Sequence, residues 1–284
     1  VERQIRQLHE AGVRDITVVV GYLKEKFEYL IDKYQVKLLY NPEYSCKNTL
    51  ATVYHARDLF KGRNVYLLSS DNWLRENMYH AYECGSWYSL AHADGETSEW
   101  CVSFNKKGRI TGAAVGGRDS WFMYGPVYFS REFSKDFFPV LERYYEMPGT
   151  EQFYWEHVLM EILNGECERR LSHAGVSLPD GWKEPEMFAN CQPENQVYEF
   201  ENLEELREFD PWYQSHSDNQ AMELVSRVLK VSEAEIRNIK CLKAGMTNKS
   251  FLFDVGGDSY ICRVPGPGTE LLINRKQEAA VYRV

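Results

Sequence analysis

The sequence predicts an α/β protein: a parallel sheet with crossover helices, followed by a small antiparallel β-plus-helix segment. Three observations carry this. Short apolar, β-branched runs in the first 70 residues are separated by roughly 10-residue amphipathic stretches. Polar residues follow the third run directly, as at the carboxyl end of a sheet strand. Beyond residue 236 the pattern changes to three strand-like segments in succession.

The elements follow in order. Glu2 to Glu10 reads as a helix with Ile5 and Leu8 inward, closed by Gly12. Asp15 to Val20 is a buried strand, Lys24 to Lys33 a helix presenting Phe27, Leu30 and Ile31, and Val36 to Tyr40 a second strand. Asn48 to Leu59 is a helix, and Asn64 to Ser69 a third strand that stops just before Asp71. In the middle, Ser86 to Ala91, Trp100 to Phe104, Arg109 to Val115 and Phe122 to Phe129 read as strands, with a hairpin turn at Lys106-Lys107-Gly108. Helices are expected over Glu132 to Tyr145 and Phe153 to Leu163, and residues 175 to 200 as irregular chain. Asp210-Pro211 to Asp218 reads as a linker. Ala221 to Leu229 is a helix, and strands follow at Ile236 to Leu242, Ser250 to Val255 and Ser259 to Val264. After Pro265-Gly-Pro-Gly268 a helix starts near Thr269 and is still running at Val284.

Composition narrows the function classes. The 284 residues suit about two domains at the usual ~150 residues each. With 33 basic and 42 acidic side chains the net charge is −9, which argues against a dedicated nucleic-acid binder. No apolar run reaches the roughly 18 residues of a membrane span. The start, Val1-Glu2-Arg3-Gln4-Ile5, has no signal-peptide pattern. Seven scattered cysteines, none in C-x-x-C, read as reduced thiols of a cytoplasmic protein.

Candidate chemistry lies in a few places. Asp71 should present its carboxylate at a strand's carboxyl end, where one or two acids plus phosphate oxygens can hold Mg²⁺. The alternative is a plain turn residue. Glu156, in Phe153-Tyr154-Trp155-Glu156-His157, is an acid beside aromatics, readable as a metal ligand with a cation pocket or as ordinary helix packing. Glu99-Trp100 opens a strand with the same two readings. A quaternary ammonium donates no hydrogen bond, so aromatic faces and a nearby carboxylate must hold it. Trp87, Trp100, Trp121, Phe122, Tyr124, Tyr154 and Trp155 are candidates, with ordinary packing the alternative for most of them. Asn48-Thr49 opens a helix, which suits either a nucleotide contact or a simple N-cap. Arg263, on the third C-terminal strand, and Glu278, on the following helix, form either a surface ion pair or a strand-cation and helix-glutamate pair like that of kinases.

Several of these stretches together resemble a known family. Asp15-Ile-Thr-Val-Val-Val-Gly21-Tyr22, Tyr40-Asn41-Pro42-Glu43-Tyr44, Asn48-Thr49, Ser69-Ser70-Asp71, Glu99-Trp100 and Tyr154-Trp155-Glu156 are similar to bacterial CTP:phosphocholine cytidylyltransferases of the nucleotidyltransferase superfamily. Ala244-Gly-Met-Thr-Asn-Lys-Ser250, Tyr260-Ile-Cys-Arg263-Val-Pro-Gly266-Pro-Gly-Thr269 and Asn274-Arg275-Lys-Gln-Glu278 resemble the start of a choline kinase. The resemblance implies a Rossmann-like nucleotidyltransferase sheet over residues 1–210, a linker and short helix at 211–235, and part of a kinase N-lobe at 236–284. It implies a cytidylyltransferase with CTP and phosphocholine as substrates, in a bifunctional context with choline kinase. Asp71 and Glu156 would be catalytic and hold Mg²⁺. Asn48 and Thr49 would lie near the cytidine. Glu99, Trp100, Tyr154 and Trp155 would form the phosphocholine pocket, and Arg263 with Glu278 the kinase-like ATP site.

The sequence departs from that pattern in two ways. The Gly-rich phosphate loop and Pro-Lys that open a nucleotidyltransferase do not lie in it, so Val1 to Ile5 is expected to be the helix that follows that loop. The chain is accordingly expected to be open at both ends, lacking part of the CTP site and all kinase chemistry. The second metal position, usually Asp, is Glu156, one methylene longer. Two other readings compete: a sugar-1-phosphate nucleotidyltransferase on the same fold, and a catalytically silent module that binds choline or CDP-choline.

Overall fold

In the computed structural model, residues 1–200, 203–210, 220–232, 235–242 and 248–265 are described. Contacts divide the chain into a unit of Val1–Glu199 and a unit of Phe200–Val284.

The first unit begins with α1 (Glu2–Glu10), β1 (Thr17–Val20), α2 (Tyr29–Tyr34) and β2 (Lys37–Tyr40). β1 and β2 pair in parallel, Thr17 opposite Lys37 and Val20 opposite Tyr40. This is the strand–helix–strand unit that the β-branched run and the spacing predict. Ile5 of α1, Leu30 of α2 and Val36 form a small buried cluster against it. α3 (Thr49–Ala56) starts with a cap: Asn48 Oδ1 accepts from Thr49 N at 2.8 Å. A 3₁₀ turn, Arg57–Leu59, prolongs it, so the expected helix to Leu59 is two pieces.

β3 (Val65–Leu67) does not extend the parallel pair. It joins β5 (Trp87–Phe104), β6 (Ile110–Phe129) and β7 (Phe188–Cys191) in a mixed sheet of order β3-β6-β5-β7. β3 and β6 are antiparallel, as are β6 and β5, while β7 runs parallel to β5. β4 (Asn72–Leu74) pairs antiparallel with β8 (Val197–Glu199) as a separate ribbon. The four short middle strands expected from sequence are two long ones. Bulges between Ala93 and Glu96 and between Thr97 and Trp100 bend the ribbon without ending it, so polar stretches such as Asp94-Gly95-Glu96 read as loops. The turn at Lys106–Gly108 is present: Asn105 Oδ1 accepts from Lys107 N and Arg109 N, and Gly108 takes φ +80°. Residues 175–200, expected as irregular, contain β7 and β8. Their three or four residues carry no periodic signal, and sheet pairing alone defines them.

α4 (Arg131–Glu146) and α5 (Trp155–Leu163) cover the mixed sheet, and α6 (Cys167–His173) follows. Phe129 sits at the centre of the core, its ring 4.7–5.5 Å from Phe133, Phe137 and Trp155. No helix among the described residues is long and apolar enough to cross a membrane.

In the second unit, α7 (Leu203–Phe209) and α8 (Gln220–Leu229) precede an antiparallel sheet of order β11-β10-β9. Its strands are β9 (Arg237–Leu242), β10 (Asn248–Val255) and β11 (Asp258–Pro265). Val225, Ile236, Ile239 and Phe253 form its core. Gly256-Gly257 makes the β10–β11 turn, both with positive φ. Arg263 lies on β11 opposite Ser250. Glu278 and the helix expected from Thr269 lie outside the described residues.

Candidate active site

Asp71 occupies the turn between β3 and β4 with its side chain exposed. The turn is held from outside. Gln4 of α1 donates its side-chain amide to Ser69 O at 2.8 Å and to Asn72 O at 2.6 Å, the two carbonyls that bracket Asp71. Arg3 donates to Leu74 O and Arg75 O, its guanidinium 4.4 Å from the Trp73 ring. Gln4 is 4% exposed, a polar residue on the inward face of an amphipathic helix. A polar side chain at an inward position of an amphipathic helix is the mark it leaves in the sequence.

Glu156 lies in the first turn of α5, its Oε1 accepting from Tyr88 Oη at 3.2 Å. Oε2 is sealed from solvent and has no hydrogen-bond partner. Burial pushes the Glu156 carboxyl up to about 7, against its own backbone amide and Tyr88, which stabilise the charge; nearby Glu199 raises it further. The Tyr88 hydroxyl is raised well above its ordinary value, by burial first and then by Glu156. Glu199 stands opposite Asn72 in the β4–β8 pair, so the ribbon that starts beside Asp71 ends near Glu156. Among the described residues five more buried side-chain oxygens lack partners: Asn72 Oδ1, Ser89 Oγ, Gln7 Oε1, Tyr79 Oη and Ser134 Oγ. Ser89 Oγ lines the space beside Gly125, whose φ is +95°; a Cβ there would stand 3.4 Å from that oxygen and 3.0 Å from Val197. Unpartnered buried acceptors are costly unless a ligand or water completes them. Tyr88, Ser89, Asn72 and Glu199 carry no sequence motif; which strands meet decides what surrounds them.

The aromatics separate into two groups. Trp155 is 5% exposed, stacked at 5.9 Å on Tyr88 and set edge-on to Phe129: it is core. Tyr154 is 45% exposed and meets Trp100 edge-on at 5.6 Å. His157 lies 4.9 Å from the same indole and accepts Tyr154 N on Nδ1, and burial lowers its pKa. Glu99, adjacent to Trp100 on the strand, is exposed.

Asn48 and Thr49 sit where α3 begins, with Asn48 Oδ1 engaged as the cap. The preceding loop is organised by Glu43. Its carboxylate accepts from Lys47 at 2.8 Å, Tyr145 at 2.6 Å and His55 at 2.8 Å. Lys47 in turn lies 4.0 Å over the Tyr145 ring, which stacks on Tyr54. The Lys47 hydrogen bond, then that of Tyr145, holds the Glu43 carboxyl down at about 2. Its folded pKa lies below the unfolded value, so the stabilisation is complete above about pH 4.5 and fades toward pH 2. Glu43→Gln is therefore expected to lower unfolding free energy at pH 7 by about 1–2 kcal/mol, after discounting for partial exposure, with the two proteins converging near pH 2. Urea unfolding at pH 7, 4.5 and 3 checks this; a constant gap across that range would refute the charge as its cause.

Among the described residues no three His, Cys, Asp or Glu side chains gather as a metal centre. A closed all-protein cage is therefore absent there. The donors at hand are hard oxygens, with Glu156 Oε2 unpartnered, which fits an ion held by one or two carboxylates and substrate phosphates.

No protein-family model matches the chain. A 2-aminoethylphosphonate cytidylyltransferase from Lancefieldella rimae is 33% identical over 161 residues, which are 56% of this chain and 65% of the relative. The chain thus spans just under two thirds of that relative's length. A choline-phosphate cytidylyltransferase from Streptococcus pneumoniae is 23% identical over 210 residues, 74% of this chain and 82% of the relative. One from Haemophilus influenzae is 26% identical over 165 residues, 57% and 70% of the two chains. A solved CTP:phosphocholine cytidylyltransferase from S. pneumoniae superposes with TM-score 0.63 at 23% identity, covering 74% of this chain and 83% of its own. A structure assigned as a glucose-1-phosphate thymidylyltransferase from Bacillus anthracis gives 0.51 at 11% identity, covering 78% and 84%. The chain has the α/β nucleotidyltransferase fold of these solved structures and is similar in sequence to the cytidylyltransferases named above.

Proposed function

We propose that this protein transfers the cytidylyl group of CTP to phosphocholine, giving CDP-choline and pyrophosphate. The observation that carries the reading is the buried Glu156 carboxylate, with an unpartnered oxygen, in the turn that also presents Tyr154 to Trp100. A phosphate oxygen of phosphocholine attacks the α-phosphorus of CTP in line and pyrophosphate leaves, without a covalent intermediate. Catalysis of this kind rests on positioning and charge neutralisation. Asp71 and Glu156 are the residues that would hold Mg²⁺. When bound, the ion offsets the phosphate charge that builds up in the transition state. Asn48 and Thr49 contact the nucleotide. Trp100 and Tyr154 face the trimethylammonium group, with Glu99 contributing negative charge nearby, while Trp155 belongs to the core. The second unit, a three-stranded antiparallel sheet bearing Arg263, is consistent with the start of a choline kinase-like lobe; Glu278, the other residue of that reading, lies outside the described residues.

Desolvated cation–π contacts are worth up to ~2 kcal/mol each, or about thirtyfold in binding. Trp100→Ala is accordingly expected to raise the KM for phosphocholine by about tenfold to thirtyfold, leaving the KM for CTP within about twofold. Steady-state kinetics with each substrate varied in turn check this; equal shifts in both would remove Trp100 from the acceptor pocket.

A second reading is favoured by the unpartnered Glu156 Oε2, Asn72 Oδ1 and Ser89 Oγ. A primary ammonium can donate to such acceptors, and a trimethylammonium cannot. On that reading the acceptor is a 2-aminoethylphosphonate-like zwitterion. The deciding experiment is pyrophosphate release from CTP and Mg²⁺ by the full chain. The acceptors compared are phosphocholine, 2-aminoethylphosphonate and glucose-1-phosphate. Release with phosphocholine supports the first reading. Preference for the aminophosphonate establishes the second, and release only with the sugar phosphate overturns both. CDP-choline binding without any release points to a silent binding module.

A further inference from the structure

Two segments about a hundred residues apart are joined near the candidate site. Asn48 N donates to Glu151 O at 2.9 Å, and Leu50 N to Phe153 O at 3.1 Å. Gln152 Nε2 donates to Cys46 O at 2.9 Å, and Trp155 N to Thr49 Oγ1 at 3.2 Å. Trp155 is the first residue of α5, so its amide has no acceptor one turn back in its own helix. Thr49 supplies one. The same Thr49 gives its own amide to the Asn48 cap of α3. One residue thus closes the starts of two helices, one leading from the nucleotide side and one carrying Glu156.

We propose that Thr49 and Gln152 are positioning residues that couple the nucleotide half of the site to the acceptor half, so that filling one tightens the other. This rests on the cytidylyltransferase reading, which puts Asn48 and Thr49 at the nucleotide and the start of α5 at the acceptor. The physical basis is ordering. A loop held loosely loses conformational freedom when a ligand engages it, at about 1–2 kcal/mol per residue fixed. Where two loops share four hydrogen bonds, a ligand that orders residues 46–50 also orders residues 151–155, and the second ligand meets a segment already in place. The coupling must be reciprocal: phosphocholine tightens the nucleotide by the same factor.

The test is calorimetric titration of the full chain with phosphocholine in Mg²⁺, with and without saturating α,β-methylene-CTP, and then the reverse titration. The expected result is phosphocholine binding at least about fivefold tighter when the analogue is present, the low end of typical couplings. In Gln152→Ala that ratio should fall by half or more while affinity for phosphocholine alone stays within about twofold, and in Thr49→Val it should approach one. The Gln152 side chain is exposed, so its variant keeps the test available if Thr49→Val fails to fold. A ratio of one in the parent protein, or one that both variants preserve, overturns the coupling alone. Failure of the parent protein to bind the CTP analogue overturns the cytidylyltransferase reading and the coupling with it, and is seen before any variant is compared.

Discussion

Replacing Asp71 by alanine in the full chain is expected to lower turnover of CTP and phosphocholine by on the order of a thousandfold, with the fold intact. The size follows from the proposed role. Removing one of two carboxylates that would bring Mg²⁺ to the phosphates leaves charge uncompensated in the transition state, and among the described residues no cluster of three acids, His or Cys stands by to replace it. The intact fold follows from the surroundings. Asp71 is exposed, and its contact with Asn72 Nδ2 at 3.5 Å is at the limit of a hydrogen bond. The turn is held instead by Gln4 on the carbonyls of Ser69 and Asn72. An exposed substitution of this kind changes stability by about half a kcal/mol or less. Turnover and thermal unfolding are to be measured on the same preparation. Activity within tenfold of the parent would remove Asp71 from the reaction; lost activity with a collapsed melting transition would make it structural.

Glu156→Gln is expected to lower turnover by about a hundredfold or more while making the protein more stable at alkaline pH. Oε2 is sealed from water without a partner, and burial raises the carboxyl to about 7. With the folded pKa above the unfolded one, the protein is favoured below about pH 4.5 and loses that advantage as pH rises through 7. The neutral amide escapes this loss. In metal-free buffer the variant should therefore gain on the parent between pH 5 and pH 8, by up to about 3 kcal/mol, and match it near pH 4. Chemical unfolding across that range reads the difference. A variant equally stable at all pH values would mean that the carboxylate is solvated; one with full activity would mean that it does not act.

The two outcomes differ because the acids differ in setting, and the sequence could not have separated them. Asp71 could be read as a strand-end acid because a short apolar run stops just before it. Glu156 stood out because it follows two aromatics. That the second is buried depends on where α5 lands against Tyr88, a contact 68 residues away, while the first stays exposed in a turn held by Gln4. Trp155 illustrates the same limit. From sequence it was one of several aromatics for a cation pocket, yet stacking on Tyr88 and packing on Phe129 make it core.

What the sequence determined by itself was local. The β-branched run at Thr17–Val20, the Asn48 cap, the Lys106–Gly108 turn, the faces of α4 and α5 and the C-terminal antiparallel strands follow from periodicity and turn chemistry within a few residues. The ordered motifs also carried the family resemblance. Tertiary structure alone decided the rest: that β3 joins β6 antiparallel, that β5 and β6 run unbroken through their bulges, and that Phe188–Cys191 and Val197–Glu199 are strands. It alone left Glu156, Asn72 and Ser89 with unpartnered oxygens and tied Thr49 to Trp155. The reason is physical. A propensity or a cap acts through neighbours in the chain, whereas desolvation and hydrogen-bond satisfaction depend on which distant segments pack together.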